Sequence, residues 1–417
     1  MTGRSPAAVT AAGSAPGGYL GQVARLLWPE PARVTVERGA LAVAHPQTRD
    51  LLMLPGAASP RLLLPADEHR AAAAAMRHYG EPRSRLARLR TRTLAAALRS
   101  GAGDVLLRDR LRVHTPEGAE TLERYLHRVF GEPVLLSLHV GPPRANRKPV
   151  LQLLTPAGRT VGFAKVGVNA LTNALVAAER DALGALADAA LQVTVVPAVV
   201  HHGTWQDCQV LVLEPLPVWK RRAPATEGFR VTAMREVAFS GGVSSQELRD
   251  SPFWHRLEAG ASNLPGEAAR AIQLSLADTA AAGGDRQLAF GTWHGDWNPG
   301  NMAVLHDRVL LWDWERYSAD VPIGFDPLHF TVQTDITYRE QPPELAVRRC
   351  LQQAAELLGP FGVPPQDASL VAVLYFTHLA VRYLRDGQEE AGADLGNLES
   401  WLLPSLRTAA AQLRNPT

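Results

Sequence analysis

Short strand-like apolar runs and longer helix-spaced stripes divide the chain into regions of different character. Runs at 134–140, 149–155 and 160–166 are separated by turn material, GPPRANRK and PAGR, and predict an antiparallel meander. A helix follows, with Leu175, Ala178, Ala182 and Leu183 as its apolar stripe and Thr172 at the cap position. Two further runs, 193–200 and 209–213, are expected strands, separated by a turn at 201–206. Beyond them the spacing turns helical, over 226–239, 245–257, 264–281, 342–358, 365–385 and 395–413. A short strand at 287–292 leads into two apolar runs, 302–305 and 309–312, which His306-Asp307-Arg308 joins into a β-hairpin.

Ahead of the meander, residues 1–17 are mostly Ala, Gly, Ser and Pro and are expected to be a disordered tail. Residues 18–131 are expected to fold as an accessory α/β segment. Its helices fall at 19–27, 68–79, 83–99 and 119–130, and its short strands at 51–54 and 61–64. Pro116, at an early turn position, opens the last of these helices. Arg83, Arg85, Arg88, Arg90 and Arg92 make the third helix basic, a pattern that fits a solvated face better than a phosphate contact.

The chemistry concentrates in one stretch, GTWHGDWNPGNMAVLHDRVLLWDWERYSADVPIGFDPLHF, from 291 to 330. Asn298, Pro299 and Gly300 make HGDWNPGN a tight loop, and the hairpin returns the chain so that Asp313 lies near Asn301. Phosphoryl transfer uses such a set. One carboxylate orients or deprotonates the attacking hydroxyl, while an amide oxygen and a second carboxylate suit Mg²⁺.

His294-Gly295-Asp296 with Asn301, then Trp312-Asp313-Trp314-Glu315, resembles the core of the aminoglycoside phosphotransferase and choline-kinase family. The resemblance implies an α+β, two-lobed protein-kinase-like fold. Its N-lobe would be an antiparallel sheet over 132–213, its hinge 214–217, and its mostly helical C-lobe 218–417, with the 18–131 segment as an addition. It makes Asp296 the catalytic base and Asn301 and Asp313 the metal ligands. Lys165, near the end of the third meander strand, would place the nucleotide phosphates, held by Glu179 on the following helix. Glu214 and Leu216 would offer backbone groups to the base of the nucleotide. GPPRANRK departs from the kinase glycine triplet, holding Gly141 alone, so phosphate cover would fall to backbone amides around Arg144–Arg147 or to the side chains of Arg144, Arg147 and Lys148. Asp326, in IGFDPLH, is expected to brace the catalytic loop rather than contact substrate, and His294 to brace it too. Trp293, Trp297, Trp312 and Trp314 are expected in the core, and Glu315 follows the metal-binding Asp.

Composition narrows the picture without changing it. The 417 residues are 46% hydrophobic and 20% charged, an ordinary globular balance, and a formal charge of +2 gives no reason to expect a nucleic-acid partner. Lys148, Lys165 and Lys220 are the only lysines. Cys208 and Cys350 make no disulfide framework or zinc spacing. No uncharged apolar run reaches the ~18–20 residues of a membrane span, and the N-terminus lacks a signal-peptide core, so a cytoplasmic protein is expected.

The expected activity is transfer of the γ-phosphate of ATP (or GTP), with Mg²⁺, to a hydroxyl of a small molecule such as a sugar or polyol, an aminoglycoside or an amino alcohol. A nucleotide-binding pseudokinase and a protein-directed transferase are the alternatives. The full acidic set speaks against the first, and the short segment after Asp313 against the second.

Overall fold

The computed structural model describes residues 14–39, 45–78, 85–218, 223 and 226–414. Most of the expected 1–17 tail, Arg83 of the basic helix and Lys220 lie outside them. The chain runs through α1 (Gly18–Leu27), β1 (Arg33–Arg38), β2 (Thr48–Leu54), β3 (Leu62–Pro65), α2 (His69–His78), α3 (Arg85–Arg99), α4 (Gly103–Leu106), β4 (Asp109–His114) and α5 (Leu122–Phe130). Next come β5 (Leu135–His139), β6 (Val150–Leu154), β7 (Thr160–Val166), α6 (Ala170–Ala187), β8 (Thr194–Val195), β9 (Val199–Trp205) and β10 (Cys208–Leu213). The remainder is α7 (Glu227–Phe239), β11 (Ser244–Glu247), α8 (Pro252–Ser262), α9 (Gly266–Gly283), β12 (Gln287–Trp293), β13 (Met302–Val304), β14 (Val309–Leu311), β15 (Ser318–Pro322), α10 (Phe325–Thr337), α11 (Pro343–Gln352), α12 (Ala354–Leu358), α13 (Pro365–Asp386) and α14 (Leu403–Arg414). The fold is α+β and divides into two compact units.

The first unit comprises Met1–Gly141, Lys148–Val168 and Gly203–Pro215. Its sheet has the order β1-β4-β2-β3-β5-β6-β7-β10-β9. The expected meander is present, with Leu138 opposite Leu151 and Leu151 opposite Ala164. It does not stand alone: β3 pairs antiparallel with β5, placing Leu62 opposite His139, so the sheet runs across the 131/132 boundary. Alternation decides how its faces are covered. Leu51, Met53 and Leu63 point into a core with Leu20, Val23 and Leu27 of α1 and Leu122 and Leu126 of α5. Leu52, Leu62, Leu64 and Leu154 point the other way, onto Ala71–Ala75 of α2 and Leu98 of α3. Both faces are therefore buried, which is why these strands read as runs of leucine. β1 and β4 were not expected. RVTVER and DRLRVH interleave charge with apolar residues, and their pairing is secured by Arg112, whose fork grips the buried Asp50 at 2.8 and 2.9 Å and also reaches Glu37.

The second unit comprises Pro142–Arg147, Asn169–His202 and Leu216–Thr417. Its core gathers apolar side chains of α8, α9, α10, α11, α13, α14 and β12, including Phe253, Trp254, Phe290, Trp293, Phe325, Tyr375 and Phe376. Two small sheets, β11-β12-β15 and β13-β14-β8, carry the loops of interest.

Several boundaries differ from expectation for local reasons. Asn169, not Thr172, caps α6; Thr172 sits three residues on and completes a reciprocal capping box. Thr121, not the Pro116 turn, starts α5 by accepting the Arg124 N–H at 3.2 Å. The expected helix at 245–257 is strand β11, a short 3₁₀ turn, and then α8 from Pro252 with Ser251 as its cap. The run at 193–200 is divided between β8 and β9, and the turn falls at Gln206, whose φ is 50°. The 342–358 helix breaks at Gln353, and α14 begins at Leu403 rather than 395. α10 and β15 were missed: Asp326-Pro327 resembles a turn in isolation, but Pro is tolerated in a first helical turn.

Candidate active site

Strand β12 delivers His294 to a loop that β13 closes, and the polar groups of His294-Gly295-Asp296 are held by several partners. The Asp326 carboxylate accepts the backbone N–H of His294 at 2.8 Å and of Gly295 at 3.2 Å. Arg382 on α13 donates to the Gly295 carbonyl at 2.7 Å. The His294 ring donates from Nε2 to the Trp312 carbonyl at 3.1 Å, because a carbonyl only accepts. That leaves Nδ1 to accept the Asp296 N–H at 3.1 Å. Gly295 has φ 84°, and a Cβ there would lie 2.1 Å from the Arg316 carbonyl oxygen, so only glycine fits.

This bracing fixes the Asp296 side chain, which keeps 30% of its surface exposed. Asn301 donates Nδ2 to the Asp296 carbonyl at 3.0 Å and to Oδ2 at 2.9 Å. Asn298 donates to Oδ1 at 3.2 Å. His329 of α10 meets Oδ1 through Nε2 at 3.1 Å. With the Asn301 amide nitrogen turned to Asp296, its amide oxygen remains as an acceptor facing elsewhere.

The hairpin forms as expected, with Met302 opposite Leu311 and the Trp312 N–H donated to the Asn301 carbonyl at 3.0 Å. Asp313 therefore follows directly on the residue tied to Asn301. Its φ of 72° is a left-handed conformation, which Asp tolerates better than most residues and which is characteristic of functional positions. Asp313, Glu179 and Glu315 each offer one carboxylate oxygen within 4.8 Å of the others. Glu179 also accepts the Trp314 N–H at 3.1 Å, and Glu315 accepts from Asn146 Nδ2 at 3.0 Å. Asn146 lies in the loop 142–147, whose Ala145 N–H reaches Gln388 at 3.3 Å. Three oxygen donors of this kind suit a hard cation such as Mg²⁺.

Electrostatics follow from burial and these partners. Burial pushes His294 down to about 4, so the ring is neutral, in agreement with its hydrogen bonds. Burial lowers His329 as well, against the pull of Asp296. At Asp296 burial works to raise the carboxyl, but the hydrogen bond from His329 outweighs it and holds the group below its ordinary value. Burial raises Asp326 to about 7 despite its two backbone N–H bonds.

The second unit thus brings together Asp296, Asn301, Asp313 and Glu179. Lys165 lies on β7 in the first unit, opposite Leu211, and is largely buried. Glu214 is exposed just after β10; Leu216 packs with Val195, Leu305, Leu310 and Trp312; Arg144 is exposed in the 142–147 loop. Trp293, Trp297 and Trp314 are almost fully buried, whereas Trp312 is only partly so. The sequence reading did not select His329, Tyr375 or Arg382. For His329 a signal existed, since it stands three residues after Asp326 and so on the same helical face. Tyr375 and Arg382 come from a distant helix and leave no local trace.

In order along the chain come the meander, a helix, strands, a connecting loop and helices, then the HGD loop and a hairpin ending in Asp. Comparison with solved structures finds similar chains among small-molecule phosphotransferases. A thermostable mutant of aminoglycoside phosphotransferase APH(4)-Ia, in a ternary complex with ADP and hygromycin B, is 15% identical. That match covers 71% of this chain and 99% of the other, with a TM-score of 0.48. A choline/ethanolamine kinase family protein from Mesorhizobium loti is 16% identical over 65% of this chain and 93% of its own, with a TM-score of 0.36. No protein-family model and no curated protein matches the chain. Among the described residues no helix is long and apolar enough to cross a membrane.

Proposed function

We propose that the protein is an ATP-dependent phosphotransferase that phosphorylates a hydroxyl of a small molecule. The observation that carries this reading is the Asp296 carboxylate, held by Asn301 and Asn298 in the loop ahead of a hairpin that places Asp313 one residue beyond Asn301's backbone partner. Asp296 accepts the proton of the acceptor hydroxyl as its oxygen bonds to the γ-phosphorus and the bond from that phosphorus to the bridging oxygen breaks. A carboxyl held below its ordinary value is ionised at neutral pH, as a base in this loose transition state must be.

Asp313, the Asn301 amide oxygen and the neighbouring Glu179 and Glu315 would hold Mg²⁺, which when bound neutralises phosphate charge. The nucleotide roles of Lys165, Glu214, Leu216 and Arg144 rest on the sequence resemblance alone, and GTP stands beside ATP as the donor. The short segment from Asp313 to Pro322 favours a small acceptor over a protein, and a sugar or polyol suits the interleaved Arg and Glu of α7 and α8 as well as an aminoglycoside does.

Calorimetry of Mg·ATP binding, on wild type, Asp296→Ala and Asp313→Ala, tests the reading. Both variants should lose turnover, and only Asp313→Ala should also lose most of its magnesium-dependent binding. Wild-type protein that binds no nucleotide with any divalent cation would overturn the proposal.

A further inference from the structure

The reading of Asp296 as the base leaves open what sets the orientation of its carboxylate. His329 lies on α10 with only 1% of its side chain exposed, and its two ring nitrogens meet two different partners. Nε2 is 3.1 Å from Asp296 Oδ1, and Nδ1 is 2.9 Å from the hydroxyl of Tyr375 on α13. Tyr375 is itself fully buried, and its ring stands edge-on to Phe325, Trp293 and Phe376. An ionised carboxylate only accepts, so Nε2 carries the proton toward Asp296. In the neutral ring Nδ1 then accepts the Tyr375 O–H.

We propose that His329, with its tautomer fixed by Tyr375, is a positioning residue that aims Asp296 and leaves one defined oxygen lone pair for the acceptor hydroxyl. A carboxylate offers about four acceptor sites, two on each oxygen. On Oδ1 both are taken, by His329 Nε2 and Asn298 Nδ2. On Oδ2 one is taken, by Asn301 Nδ2. The remaining site on Oδ2 is where the hydroxyl proton is received. Neither His329 nor Tyr375 touches the reactants in this scheme; they act by denying the carboxylate rotation about its Cβ–Cγ bond. The inference rests on the phosphotransferase reading.

The slow hydrolysis of Mg·ATP, with water as acceptor, supplies an assay that needs no knowledge of the substrate. His329→Ala should lower kcat for hydrolysis by about 10–100-fold, the usual cost of a misplaced catalytic group, with the Kd for Mg·ATP unchanged. His329→Gln keeps an N–H donor of similar reach and should recover much of that loss. Tyr375→Phe should give a smaller fall in kcat, again without a change in Kd. A His329→Ala protein that binds Mg·ATP and hydrolyses it at the wild-type rate overturns the positioning role while leaving the phosphotransferase reading intact. Wild type that binds no nucleotide removes both. Should hydrolysis be too slow to follow, or His329→Ala fail to fold, imidazole nitrogen NMR of the wild type decides. A single Nε2–H tautomer for His329 that shifts in Asp296→Asn and in Tyr375→Phe supports the arrangement, and a mixture of tautomers overturns it.

Discussion

Asp326 reaches the backbone of His294 and Gly295 with its two separate oxygens, Oδ2 at 2.8 Å and Oδ1 at 3.2 Å. A buried carboxylate on a helix thereby serves as the seat for the loop that presents Asp296. Arg382 holds the same turn by the Gly295 carbonyl, so two N–H groups and one carbonyl of the turn are gripped. The shape of the loop is consequently set before any substrate arrives, as electrostatic preorganisation demands.

Gly295→Ala should be among the most damaging single-methyl additions in the chain. Its Cβ would meet the Arg316 carbonyl at 2.1 Å, and neither backbone can yield without breaking the Asp326 or Arg382 bonds. A loss on the order of 3 kcal/mol, read as a lower urea midpoint, is expected. A variant as stable as wild type would show that the turn is far more pliable than described.

The pH dependence of stability should steepen with one substitution. His294 falls from 6.5 to about 4 on folding, so the unfolded chain binds more protons there and stability is lost as pH drops from 6.5 toward 4. Asp326 rises from 3.8 to about 7, so the folded chain holds the extra proton and stability is lost as pH climbs through that window. Between pH 4 and 6.5 the two oppose each other. Asp326→Asn removes one and should make stability fall more steeply on acidification than in wild type. Parallel urea midpoints for the two proteins at pH 5, 6 and 7 would contradict this.

Asn146→Asp should release the 142–147 loop by setting a carboxylate against the buried Glu315. Trypsin cleavage after Arg144 or Arg147 is expected to quicken by about tenfold, the equivalent of roughly 1.4 kcal/mol in the open population. Unchanged cleavage, with mass spectrometry locating the cuts, would mean that the Ala145–Gln388 contact alone secures the loop.

In the first unit, Arg112→Leu should cost about 3–5 kcal/mol because Asp50, only 1% exposed, loses its bidentate partner. The double variant Asp50→Leu with Arg112→Leu should recover most of that loss. Thermal midpoints of the single and double variants measure it, and equal destabilisation in both would sink the argument.

Legibility varied with how local the cause was. The Asp296–Asn301 spacing and the hairpin to Asp313 could be read because turn residues and two short apolar runs specify them within 20 residues or so. The meander was equally plain. β1 and β4 were not, since their stability comes from partners far along the chain, Val36 facing Leu111 and Arg112 facing Asp50. β11 had helix-compatible residues and became a strand only because β12 offers it an edge. His329 looked like one more polar residue until α10 turned it toward Asp296, and its second partner, Tyr375, lies 46 positions away.

The antiparallel pairing of β3 with β5 bears on how this protein can be cut and joined. A chain begun at the meander would expose β5 as a raw border, with the hydrogen-bonding groups once met by Leu62 and Leu63 left open to any passing strand. Such a truncated product would stick to itself. The leading segment is therefore no detachable ornament: trimming, fusion or domain transplantation in this protein has to treat it and the meander as a single inherited piece.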